Sequence, residues 1–234
     1  MEQINKLIKW TNDNSGFLSI ILFFATIFYG WVSGLFNSLI KKPKLKIRFI
    51  DKVSFYSFYF TGEKYEVKEH NYTYDLHKTG FVVYMSIANV GNMPTAIDKI
   101  YLGYYKNKKY RFWNERIWLA QWHALESFKI NLKNDSQISI ATLRIRDSEN
   151  DTSNKSFINI GDSIVGIAYF EQETAWGNYN PIPNEDKSTN IKIRIKDIYG
   201  NNFYFKYKLK YMDLEKAREY NSNFGNIESI TTYY

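Results

Sequence analysis

Between Asp13 and Lys41 the chain carries no Asp, Glu, Lys or Arg, and it reads SGFLSIILFFATIFYGWVSGLFNSLI over residues 15–40. Phe17 to Ile40 is 24 residues. As one helix it would span roughly 36 Å, enough to cross a hydrocarbon core of about 30 Å with some tilt. A core helix of a soluble domain is rarely so long and so apolar, so the segment reads as a transmembrane helix. No small-x-small cleavage site follows it, because Lys41, Lys42 and Pro43 come next. It is therefore expected to stay in place as a signal anchor.

The flanking charges orient it. Lys6 and Lys9 stand on the N-terminal side, against Lys41, Lys42, Lys44, Lys46, Arg48 and Lys52 on the other. Basic excess marks the cytoplasmic face. The expectation is a single-pass protein of a bacterial inner (plasma) membrane, with residues 1–14 outside and the rest in the cytoplasm.

Thr26, Gly30, Gly34 and Ser38 recur at every fourth position, with Ser33 and Asn37 beside them. Small residues at this spacing let helices approach closely in lipid, so a homo-oligomer is expected. If copies pack through this stripe, Thr26, Ser33, Asn37 and Ser38 line a narrow polar pore.

Beyond the anchor the hydrophobic period becomes two. Leu45, Ile47 and Phe49 alternate with cations, 54–60 and 79–89 read as strands, and further strands are expected at 95–104, 128–132, 136–145, 158–160, 163–171, 190–197 and 202–211. Residues 63–78 are polar and read as a loop or an irregular hairpin. The aromatic-rich stretch 109–125 fixes no element, and Trp118, Trp122 and Leu125 would share a face if it were helical; 213–220 reads as a short helix. Many short strands separated by Gly, Pro and Asn predict an all-β soluble domain, an Ig-like β-sandwich first and a barrel second. The organisation is a short segment 1–14, a transmembrane helix 15–40, a cytoplasmic β-sandwich domain 41–211, and a C-terminal helix and tail 212–234.

Chemistry is sparsely signalled. With no Cys, the chain has neither disulfides nor thiol catalysis. His70, His77 and His123 lack metal-ligand spacing, and no hydrolase, phosphate-loop or zincin motif occurs. Glu171 and Glu173 are two apart, which as a carboxylate pair is more often a solvated surface than an acid/base couple. No catalytic residue, metal or cofactor is expected.

The last hairpin carries more information. Ile191, Ile193 and Ile195 alternate with Lys192, Arg194 and Lys196; Phe203, Phe205, Tyr207 and Leu209 alternate with Tyr204, Lys206, Lys208 and Lys210. Paired, these strands put six cations and a tyrosine on one face. Like charges on neighbouring strands repel, so an anionic neighbour is expected there: acidic side chains from another strand, membrane lipid, a nucleotide, an oligonucleotide or a protein partner. The net charge of +7 agrees. A lysine face that only guards against aggregation is the alternative. Lys106, Lys108, Lys109 and Arg111, among Tyr104, Tyr105, Tyr110, Phe112 and Trp113, form a second basic and aromatic patch.

At Asn89-Val-Gly91-Asn-Met-Pro94-Thr, Tyr169-Phe-Glu171-Gln, Trp176-Gly177, Asp197-Ile-Tyr-Gly200 and Leu214-Glu-Lys-Ala217-Arg-Glu-Tyr220-Asn-Ser-Asn-Phe224-Gly225, the chain resembles a recurrent group of uncharacterised bacterial proteins. These have one N-terminal membrane helix and a β-rich soluble domain. The resemblance covers most of the chain and implies an architecture, with no catalytic role. More loosely, the layout is similar to small membrane effectors of anti-phage defence systems, which implies a cytoplasmic sensing domain controlling membrane disruption. A membrane-tethered scaffold that recruits a cytoplasmic partner is the second expectation.

Overall fold

The computed structural model describes residues 2–36, 41–67, 72–106, 116–122, 127–132, 136–143, 156–175 and 179–227. It divides into two units, Met1–Lys42 and Pro43–Tyr234.

The first unit holds α1 (Glu2–Asp13) and α2 (Ser15–Val32). Among the described residues, α2 is the helix long and apolar enough to cross a membrane. It covers Ser15–Val32 of the expected 15–40; Leu35 and Phe36 are again helical, and 37–40 lie outside the described residues. Ser33 N–H still donates to Tyr29 O, but Gly34 takes φ +75° and donates to Trp31 O. A glycine in this left-handed conformation satisfies the last carbonyls and stops a helix. Eighteen residues give α2 about 27 Å.

In the second unit, β3 (Tyr72–Asn89) is the axis. On one edge its last five residues pair antiparallel with β1 (Leu45–Phe49), and its earlier residues pair with β2 (Phe55–Val67). On the other edge β9 (Ser163–Glu171) runs beside Gly80–Ala88. Between β1 and β2 the chain steps out through a 3₁₀ turn, Asp51–Val53. The Ser54 hydroxyl fills the gap in the ladder: it accepts from Tyr84 N–H at 2.9 Å and donates to Ile50 O at 2.6 Å. A buried amide is thereby kept paired.

A second group of strands follows the order β11 (Asn202–Tyr211), β10 (Thr189–Asp197), β4 (Thr95–Tyr105), β5 (Arg116–Ala120), all antiparallel. Lys210 and Tyr211 pair parallel with Phe55 and Tyr56, which joins the two groups. Short β8 (Phe157–Ile158) extends the start of β4, and β6 (Phe128–Asn131) with β7 (Gln137–Ile140) forms a separate hairpin.

Strand alternation sets the core. Phe81, Val83, Met85 and Ile87 of β3 meet Ile100, Leu102 and Tyr104 of β4, Ile191, Ile193 and Ile195 of β10, and Leu209 of β11. The intervening β3 residue Val82 points the other way, into a second cluster with Val53, Phe55, Tyr59, Phe128, Ile140, Ile167 and Tyr169. Ala217 of α3 (Leu214–Tyr220), Phe224 and Ile227 close that second cluster. The C-terminal segment is thus part of the packed unit. Phe224 lies on Gly80: a Cβ there would meet its Cζ at 2.7 Å, so the glycine is what lets the ring approach.

Two stretches that the sequence left open take a definite form. Residues 63–78, read as a loop or irregular hairpin, include the paired ends of β2 and β3, from Lys64↔Asp75 to Val67↔Tyr72, after a register shift between Phe60 and Lys64. Most of their side chains are exposed on both faces of this ribbon, which erases the apolar alternation that marks a half-buried strand. Trp118 lies on strand β5, and Trp122 bridges to Tyr169 of β9; Leu125 lies outside the described residues. At Trp118 and Trp122 the backbone is therefore extended.

Candidate functional site: a cationic and aromatic sheet face

The faces of β10, β11, β4 and β5 turned away from the first core cluster form one surface. Register fixes its rows. Lys206 stands opposite Lys192, Gly103 and then Trp118; Tyr204 stands opposite Arg194, Tyr101 and then Ala120. Of the β5 residues on this face, Arg116, Trp118 and Ala120, the first two flank Ile117, which packs on the core.

Direct Lys–Lys opposition is eased by interleaved rings. Lys192 Nζ sits 4.3 Å from the Tyr204 centroid. The Arg194 guanidinium lies 4.1 Å from the Tyr101 ring and 4.7 Å from the Trp118 ring. Arg116 lies 4.5 Å from the Tyr105 ring and donates to its hydroxyl at 2.8 Å. Each such cation–π contact is worth about 0.5–1 kcal/mol where water has access. Gly103 makes room for this stack, since a Cβ there would meet Arg116 Cδ at 2.6 Å and Trp118 Cε3 at 2.8 Å. Buried Nε atoms of Arg194 and Arg116 have no hydrogen-bond partner among the described residues.

Carboxylates neutralise the ends of the face. Lys208 Nζ reaches Asp186 Oδ2 at 2.7 Å, and Lys196 reaches Asp98 at 3.5 Å. The hydrogen bonds from Lys208 and Ser188 hold the Asp186 carboxyl well below the usual carboxylate range. In the middle, Lys192, Arg194 and Lys206 have no ion pair among the described residues, and neither has Lys210 on the neighbouring end of β11. A flat array of guanidinium, ammonium and π-faces suits an anion that also carries planar rings.

All six cations singled out in sequence fall on this face. Sequence reasoning missed Tyr101, Arg116 and Trp118, whose period-two pattern in KIYLGYY and RIWLA was the available signal. Of the second basic patch, Lys108, Lys109 and Arg111 lie outside the described residues. Lys106 sits 5.0 Å from the Tyr179 ring, and Tyr104 is buried with its hydroxyl donating to Tyr179 O at 2.8 Å.

On α2, Thr26 Oγ1 donates to Leu22 O at 2.7 Å and Ser33 Oγ to Gly30 O at 3.3 Å. These hydroxyls are satisfied within their own helix. Phe36 folds over Gly30, where a Cβ would meet its Cε2 at 2.7 Å. Gly34 sits in the left-handed region between α2 and the helical residues Leu35 and Phe36. Asn37 and Ser38 lie outside the described residues.

Glu171 and Glu173 do not share an environment. Glu171 is buried, accepts from the Tyr169 hydroxyl at 3.0 Å and lies 3.8 Å from Lys78 Nζ, whereas Glu173 is exposed beyond the end of β9. Burial pushes the Glu171 carboxyl up, opposed by its hydrogen-bonding tyrosines and Lys78. An acid raised on folding binds its proton more tightly in the native state. Stability is then highest below the unfolded carboxylate value, about 4.3, and falls as pH rises above it through the folded value. Glu171→Gln is accordingly expected to stabilise the protein at pH 7 and to change little below pH 4, as read from urea unfolding at both pH values. Among the described residues, no group of three or more His, Asp or Glu side chains is gathered to hold a metal ion.

The resemblance motifs do structural work. The buried Asp197 carboxylate accepts from Tyr199 N–H, Asn201 N–H and Asn201 Nδ2 at 2.8–3.0 Å, closing the β10–β11 turn over Gly200 at φ +83°. Asn89 accepts from Gly91 N–H and donates to Met93 O, fixing the β3–β4 turn.

No family model matches the chain, and no curated protein matches it. Among solved structures, an X-ray structure of a Northeast Structural Genomics Consortium target aligns over 72% of this chain and 85% of that one, at 9% identity and TM-score 0.28. The structure of a flagellar-like filament aligns over 86% of this chain and 98% of its own, at 12% identity and TM-score 0.25. Likeness at this level leaves the function to be read from the face itself.

Proposed function

We propose that this protein is a membrane-anchored, non-enzymatic sensor. Its β domain, which we read as an Ig-like sandwich on the inward alternation of both strand groups, binds an anionic ligand with planar rings, a nucleotide or oligonucleotide, on the cationic face. α2 holds it in a bacterial inner membrane with that domain in the cytoplasm. Self-association of the membrane segment, opening a pore or disrupting the bilayer in an anti-phage setting, is the effector half of the proposal. The observation that carries the binding half is Arg194, held between Tyr101 and Trp118 amid cations that have no carboxylate partner among the described residues.

A second reading, a tethered scaffold without a pore, is favoured by the self-satisfied hydroxyls of α2 and by Phe36 over Gly30. A membrane-potential dye during induced expression separates the two. The sensor reading expects depolarisation that disappears when Lys192 and Arg194 are replaced. The scaffold reading expects unchanged potential in every variant.

A further inference from the structure

α1 has a feature the proposed function leaves unused. Ile4, Leu7, Ile8 and Thr11 fall at i, i+3, i+4 and i+7, one stripe of the helix, and Lys6 and Lys9 fall on the other side. Ile4, Leu7, Ile8 and Trp10 are each more than half exposed. A single residue, Asn14, separates α1 from α2. Its φ −111° and ψ 19° depart from helical values, and its side-chain amide takes the Trp10 carbonyl at 2.8 Å. Backbone bonds still run through it, from Asn14 N–H to Trp10 O and from Leu18 N–H to Asn14 O, each at 3.0 Å; Asn14 is the weak point of that ladder, where the two helix axes part when α1 lies flat.

We infer that α1 lies in the plane of the membrane–water interface, with Ile4, Leu7 and Ile8 among the acyl chains and Trp10 at headgroup level. This rests on the reading of α2 as a membrane span. About 27 Å of α2 nearly fills a hydrocarbon core of about 30 Å, so α1 must lie outside it. Twelve residues reach only about 18 Å from Asn14. Within that reach the apolar phase supplied by α2 itself is the bilayer. Pointing into water, the stripe would leave three large aliphatic side chains hydrated; lying flat buries them, as amphipathic helices with an aromatic boundary residue do.

The chain contains no cysteine, so single introduced thiols report cleanly. Nitroxide labels are placed at Ile4→Cys, Leu7→Cys, Lys6→Cys and Lys9→Cys, with Ile20→Cys in α2 as the insertion control. The full chain is reconstituted in vesicles of phosphatidylcholine and phosphatidylglycerol. Collision with oxygen, which concentrates in lipid, is expected to exceed collision with a water-soluble nickel chelate at Ile4→Cys and Leu7→Cys, with the order reversed at Lys6→Cys and Lys9→Cys. Water accessibility at all four α1 sites overturns the inference. So does shielding of Ile4→Cys and Leu7→Cys from both reagents with spin–spin broadening, which assigns the stripe to a second copy. A water-accessible Ile20→Cys overturns the membrane reading itself.

Discussion

Replacing Phe224 with alanine is expected to destabilise the β domain by about 3–5 kcal/mol, the range for a large aromatic removed from a packed core. The ring is fully buried. Its centroid lies 5.6 Å from Phe55, 5.9 Å from Tyr169 and 6.2 Å from Tyr59. Because it rests on Gly80, no side chain beneath it can swing into the space. The neighbouring backbone is constrained too. Gly225 has φ +91°, and Phe224 N–H bonds to Asn221 O, so the turn cannot easily collapse inward. Urea unfolding of the full-length protein in detergent, followed by tryptophan fluorescence, measures the loss. Phe157→Ala, at a site 54% exposed, is the control and should stay within about 0.5 kcal/mol.

The second large effect concerns binding. Lys192→Glu with Arg194→Glu is expected to abolish binding of a single-stranded oligonucleotide. The double variant reverses charge at two of the three central cations and removes the guanidinium between Tyr101 and Trp118. Trp118→Ala should weaken binding by about 1–3 kcal/mol, the cost of one lost base–aromatic stack. In the parent protein, affinity should fall as salt rises, because phosphates released from cations recapture counterions. Fluorescence anisotropy with a labelled oligonucleotide at two salt concentrations reads all three effects. The fold should survive the charge reversal, since both positions lie on the solvent side of β10 while Ile191, Ile193 and Ile195 hold the core.

The strands that read well from sequence were those whose two faces see different surroundings. β10 and β11 announced themselves through the Ile191–Ile195 alternation, and β9 was bounded as found. Where both faces meet the same medium, the pattern vanishes. Residues 64–67 and 72–75 pair with most side chains exposed on both faces, so the pattern did not separate a loop from an irregular hairpin. Val82 and Val83 are buried on opposite faces, within the stretch 79–89 that read as a strand. Gly34 fits two rules at once, small-residue packing and helix termination; its left-handed φ accounts for the end of α2 at Val32 and leaves the packing rule in place. The six cations were legible because they are local to one hairpin. Their aromatic partners Tyr101 and Trp118 were not, because strand order, with β4 between β10 and β5, is what brings them beside Arg194.

Lysine acetylation footprinting of the full-length protein in lipid nanodiscs tests the proposed binding face most directly. With saturating single-stranded oligonucleotide, Lys192 and Lys206 should be protected, while Lys129 and Lys216 keep their rates. Unchanged modification of Lys192 and Lys206 under saturating ligand would contradict the assignment of this face.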